Sequence, residues 1–142
     1  MAEAMLSHLA GDRFLAFSAG NFPTGTVNEL ALETLRKRGI KTAGLRSKSL
    51  EEFTDKPIDW LITVCDNAAG EPCPIFPTSP LKAHWGVADP AKFQGTDHAR
   101  AQVFERTAEI LENRIKVLVR LPLAEMPPPE LRHRLMEIGD LG

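Results

Sequence analysis

The chain has 142 residues, of which 43% are hydrophobic, enough to bury one core and too few for two domains of ordinary size. Its 17 Lys and Arg residues against 19 Asp and Glu leave a net charge of −2, so no large basic field is available to hold a nucleic-acid backbone. No apolar run approaches the ~20 residues of a membrane-spanning helix, and the first residues carry Glu3 and His8 where a secretion signal would be cationic and then apolar, so a cytoplasmic protein is expected, with neither membrane nor nucleic acid as partner.

Met1, Ala4, Met5, Leu6 and Leu9 recur at helical spacing and Gly11 follows them, which predicts a helix over 1–10. No Ser, Thr, Asp or Asn precedes it, so its first amides are left open. Phe14, Leu15 and Phe17 predict a short strand from Arg13 to Ser18, ended by Ala19-Gly20. The turn Phe22-Pro23-Thr24-Gly25 leads into a second helix from Thr26 or Val27 to Arg38, with Leu30, Ala31, Leu32 and Leu35 on its buried side and Gly39 as its stop. Ile40 to Ser47 reads as a connector, and Ser49 to Phe53 as a short helix start whose first turn holds Glu51 and Glu52.

Ile58 to Val64 is nearly continuously apolar and predicts a central strand covered on both faces, delivering Cys65 at its C-terminal end. Pro72, Pro74, Pro77 and Pro80 make the following stretch irregular, and His84 to Val87 is expected to be a short strand. The longest helical pattern runs from Asp97 to Leu118. Beyond Leu121 the run Pro127-Pro128-Pro129 interrupts the packing pattern, so 121–142 is expected to be a weakly packed tail on a domain of residues 1–120. Within that tail a small helix from Glu130 to Ile138 would place Leu131, Leu135 and Ile138 on one apolar face that could cover the sheet.

This order of elements predicts an α/β fold, a small parallel sheet flanked by helices, in which ligands lie beyond the C-terminal ends of the strands. Ser18-Ala19-Gly20, Cys65-Asp66-Asn67 and Asp89-Pro90 all fall at such ends. In a reducing compartment two cysteines read as free thiols, a redox pair or core residues before a structural disulfide. Cys65 taken alone reads first as a small hydrophobe, and it becomes a nucleophile or redox group only where its thiolate is stabilised. Cys73 follows within one Gly- and Pro-containing segment that can fold back, so a reversible disulfide is accessible if the Cα atoms approach to roughly 6 Å.

The spacing of the two is not C-x-x-C, and without a further Cys or His pair at ligand spacing no metal site is expected, nor any cofactor. Pro90 holds Asp89 in an extended or turn conformation, which suits a general acid presenting its proton from one side and equally suits a plain turn aspartate.

Met1-Ala2-Glu3-Ala4, Ser18-Ala19-Gly20, Arg46-Ser47-Lys48-Ser49-Leu50, Thr63-Val64-Cys65-Asp66-Asn67, Cys73-Pro74 and His84-Trp85-Gly86 with Asp89-Pro90 resemble thioredoxin-coupled arsenate reductases. These enzymes are built on the low-molecular-weight protein tyrosine phosphatase fold. The resemblance covers about residues 1–118, in the family's order. It implies a reaction that begins when a thiolate in a Cys-x5-Arg loop attacks arsenate. A second and third cysteine, matched here by Cys65 and Cys73, then carry the oxidation as a disulfide that thioredoxin or another thiol reductant removes, and Asp89 matches the general acid.

One departure accompanies the match. The Cys-x5-Arg loop and the strand before it would stand just ahead of the position matched by Met1, and neither Cys65 nor Cys73 begins such a motif. The expectation is therefore an arsenate reductase whose real start lies upstream, inactive as given, with its first strand missing. The segment Phe14 to Ser18 would be left unpaired and the exposed sheet open to an oligomeric contact. Two alternatives remain: a non-catalytic thiol or partner-binding module that uses the open sheet, and a protein tyrosine phosphatase relative. The second is disfavoured by the Cys65/Cys73 pair, which no phosphatase step needs, and by the absence of Tyr.

Overall fold

The computed structural model describes residues 1–20, 25–65 and 76–141. Its first helix, α1 (Ala2–Ala10), has no side-chain cap, as its leading sequence predicts, and buries Ala4, Met5 and Ala10. The second, α2 (Glu29–Lys37), begins slightly later than its apolar spacing suggests because Asn28 is the cap: its Oδ1 accepts hydrogen bonds from the amides of Leu30 at 2.9 Å and Ala31 at 3.4 Å. Gly39 ends α2 with φ +74°, which lets the Gly39 amide reach the Arg36 carbonyl and the Ile40 amide reach the Leu35 carbonyl, each at 3.0 Å. A short 3-10 turn, Leu50–Phe53, follows under its own cap, Ser49.

Two parallel strands form the sheet among the described residues, β1 (Trp60–Cys65) and β2 (Leu81–Val87). Trp60 pairs with Leu81, Ile62 with Ala83 and Thr63 with His84; an irregularity between Thr63 and Cys65 then brings Cys65 opposite Val87. Alternation sets the faces. Ala83 and Trp85 of β2 are buried, with Trp60, Ile62 and Val64 of β1 packed against the same core, whereas Lys82 and His84 face outward. The long helix α3 (Asp97–Val119), capped by Thr96, supplies Ala108, Leu111, Ile115 and Leu118 to that core, and α1 and α2 both rest on it.

Three sequence expectations are revised. Arg13 to Ser18 forms no strand: Phe14 packs at a tilt on Trp60 and Phe17 on Phe53, with ring centroids 5.5 and 5.1 Å apart, while Leu15 is 83% exposed. A strand needs a neighbour to satisfy its amides, and the nearest pairing is the single bridge between Gly20 and Ser49. For the same reason β1 is half-buried rather than covered on both faces, pairing with β2 alone among the described residues.

The third revision concerns the C-terminal segment, which is well packed. Pro128 and Pro129 occupy the first turn of α4 (Pro128–Gly139), where their missing amides leave no hydrogen bond unmade. The helix lies on β2 and buries Leu131, Leu135 and Ile138 to 7%, 0% and 2% exposure, the three residues whose spacing predicted an apolar face. No described helix is long and apolar enough to cross a membrane.

Candidate active site

Two of the candidate residues lie at the C-terminal ends of adjacent parallel strands. Cys65 closes β1 opposite Val87, the last residue of β2, and Asp89 follows two positions beyond Val87. The Cys65 side chain and all of Cys73 lie outside the described residues, as do Asp66 and Asn67. Asp89 is half-buried and caps a 3-10 turn, Pro90–Lys92, its Oδ1 accepting a hydrogen bond from the Ala91 amide at 3.0 Å. The proline that follows fixes the backbone while this bond fixes the side chain, so one carboxylate oxygen is committed to the turn.

Near that end of the sheet Thr63 Oγ1 and His84 Nδ1 are 2.6 Å apart across β1 and β2 on the outward face. Their pairing follows from the parallel register, and it joins the two strands just before the irregularity that positions Cys65.

A second polar cluster was not anticipated from sequence. Lys48 Nζ reaches Glu3 Oε1 at 3.0 Å and Oε2 at 3.3 Å, and Ser18 Oγ donates to Glu3 Oε2 at 3.0 Å. The Lys48 and Glu3 side chains are only 7% and 14% exposed, so water screens the pair weakly. Burial pushes the nearby Met1 amino group below its ordinary pKa, with Glu3 opposing the shift and Lys48 adding to it. The cluster ties three chain segments: α1, the stretch ending at Gly20, and the loop before Leu50. Backbone bonds from the Gly20 amide to Lys48 O at 3.0 Å and from the Leu50 amide to Gly20 O at 3.1 Å complete that tie. Lys48 sits in a polar run, Arg46 to Ser49, and nothing in its spacing signals burial.

Arg114 is the other residue that pattern reading passes over. It lies on α3 with 5% exposure, and its Nη1 donates to the carbonyl of Trp85 at 2.8 Å and that of Gly86 at 3.3 Å. It occupies an inward position of the helix among Leu111, Ile115 and Leu118, where an aliphatic residue is the usual occupant. The remaining ion pairs are on the surface or between helices. Arg46 binds Glu52 at 2.9 Å, and Arg38 of α2 meets Glu105 and Glu112 of α3. The Arg46 hydrogen bond holds the exposed Glu52 carboxyl below the usual carboxylate range, and Glu52 raises Arg46 in turn.

Parallel strands under packed helices, with Cys65 ending one strand and Asp89 just beyond the end of the other, define an α/β domain of the kind that binds small ligands at that edge. Residues 1–126 match the family described as low molecular weight phosphotyrosine protein phosphatase, and the chain belongs to that family. Among its relatives, it is 34% identical over 116 residues to the arsenate reductase of Halalkalibacterium halodurans, a match covering 82% of each chain. The arsenate reductase of Bacillus subtilis is 31% identical over the same length and coverage. That of Oceanobacillus iheyensis is 30% identical over 120 residues, 84% of this chain and 85% of the relative. The expected α/β fold and the arsenate reductase kinship are thus both found.

Proposed function

We propose that this chain carries the dithiol part of an arsenate reductase, with Cys65 and Cys73 as the redox pair and Asp89 as the general acid. The observation that supports it is the register that sets Cys65 opposite Val87, with Asp89 just beyond, in a chain at least 30% identical to these three arsenate reductases. Reduction of arsenate to arsenite takes two electrons, which is what two thiolates release when they join as one disulfide. The oxygen removed from arsenic leaves as water once protonated, and Asp89, whose backbone Pro90 fixes, is the group assigned to give that proton.

Cytoplasmic thioredoxin is the reductant assigned to the resulting disulfide, since it exchanges with dithiol pairs of this kind. The 142 residues contain no Cys-x5-Arg, so the step that captures the oxyanion requires a loop that they do not supply, and the chain assayed alone is expected not to turn over arsenate. Mild oxidation followed by peptide mapping tests the dithiol assignment. One intramolecular Cys65–Cys73 link, reduced faster by thioredoxin than by glutathione, supports it; crosslinked dimers or separate glutathione adducts on the two cysteines would refute it.

A second reading, that of a partner-binding module, has one observation in its favour: β1 pairs on one side only among the described residues. It predicts a stable dimer or larger oligomer by light scattering. A monodisperse monomer at high concentration would remove it.

A further inference from the structure

The strand that leads to Asp89 is held by groups outside the catalytic reading. Arg114 Nη1 holds the Trp85 and Gly86 carbonyls, while its Nε donates to the carbonyl of Leu141 at 2.8 Å, near the chain's C-terminus. The Trp85 indole Nε1, on a side chain 2% exposed, donates to the Leu135 carbonyl of α4 at 2.7 Å. Gly139 completes the contact. A Cβ there would lie 2.4 Å from the His84 carbonyl and 3.0 Å from the Trp85 ring, so only glycine lets the end of α4 press against β2. The α4 helix lies beyond residues 1–126 of the family match.

We propose that Arg114 is a positioning residue for Asp89, and that α4 acts on this carboxylate through Arg114 and Trp85. The inference rests on the reading of Asp89 as the general acid, but the mechanical link is independent of it. Arg114 fixes the backbone at Trp85 and Gly86, the last residues before β2 ends at Val87, and Asp89 follows after one more. α3, which bears Arg114, also contacts the Pro90–Lys92 turn that Asp89 caps. Asp89 is thus bounded on both sides by backbone that α3 supports, and α4 packs on β2 at the His84 carbonyl and the Trp85 side chain, next to those carbonyls. A guanidinium suits this place because its planar fork donates in several fixed directions at once, which an ammonium cannot do with the same geometry.

The test uses the full-length labelled chain and NMR, with Arg114→Gln, Arg114→Lys and Gly139→Ala. Arg114→Gln is expected to speed exchange of the Ala91 amide, which Asp89 Oδ1 holds, by about tenfold, with amides of α2 changing less than about twofold, the pattern of a local opening. The Asp89 carboxyl 13C resonance should shift as well, because its hydrogen bond to the Ala91 amide is weakened. Arg114→Lys should restore part of both effects. Gly139→Ala forces α4 off β2 with Arg114 itself unsubstituted and should reproduce them, which keeps the test decisive if Arg114→Gln does not fold. Unchanged Ala91 and Asp89 signals alongside a loosened Leu141 would overturn the proposal, leaving Arg114 as an anchor for the C-terminus; so would a uniform rise in exchange across every element. Loss of the catalytic reading alone would show instead as an Asp89→Asn chain, carrying the capture loop, that reduces arsenate normally.

Discussion

Replacing Leu135 by Ala measures whether the C-terminal helix belongs to the cooperative core. The Leu135 side chain is 0% exposed and belongs to the cluster that includes Trp85, Leu111, Ile115 and Leu118. Deleting buried methyl groups at such a site costs the lost transfer free energy and the cavity left behind, together about 3 kcal/mol. An unfolding entropy of about 2.1 cal/mol/K per residue over 142 residues gives about 0.3 kcal/mol/K, so Tm should fall by about 10 °C. The neighbouring Met136 is 45% exposed, and Met136→Ala should change stability by no more than about 0.5 kcal/mol. Urea and thermal unfolding followed by circular dichroism read both variants. A Leu135→Ala chain within about 0.5 kcal/mol of the parent would refute the packing described for α4.

Two further perturbations address the charged groups. Lys48→Met leaves the Glu3 carboxylate buried without its cation and should cost about 3 kcal/mol, whereas the double variant with Glu3→Gln should recover part of that loss; strict additivity in a double-mutant cycle would contradict a direct pair. The Glu52 carboxyl, lowered chiefly by its hydrogen bond to Arg46, contributes stability that is present above its ordinary pKa and lost as pH falls through the depressed folded value. Glu52→Gln should therefore shift the urea midpoint slightly at pH 7 and not at all in acid, with the shift reduced by salt; a difference that persists in acid would show that the charge is not responsible.

What was legible in the sequence was what periodicity and punctuation encode. The Leu30 to Leu35 spacing and Gly39 gave α2 and its stop, the apolar run Ile58 to Val64 gave β1, and the long repeat from Asp97 gave α3. Asn28 set the start of α2 by a cap that local spacing did not reveal. Phe14 to Ser18 has the composition of a strand, but composition does not supply a neighbour, and its rings pack on Trp60 and Phe53 instead. The proline triplet reads as a break in the sequence, yet Pro127 stands at the N-cap of α4 and Pro128 and Pro129 form its first turn.

At the candidate site, the positions of Asp89 and Cys65 at the strand ends were legible because strand ends and a following proline are local signals. The buried Glu3–Lys48 pair and Arg114 were invisible for the opposite reason. Their partners are distant in sequence, and a charged residue at an inward helical position reads as solvated until the fold places carbonyls around it.

The most direct measurement of the central claim is thioredoxin-coupled, arsenate-dependent NADPH oxidation by this chain joined to an N-terminal strand and a Cys-x5-Arg loop, roughly 15 to 20 residues. The account predicts turnover that Cys65→Ser and Cys73→Ser each abolish and that the 142-residue chain alone does not show. A joined chain that hydrolyses aryl phosphates, yet reduces no arsenate with thioredoxin present, would contradict it.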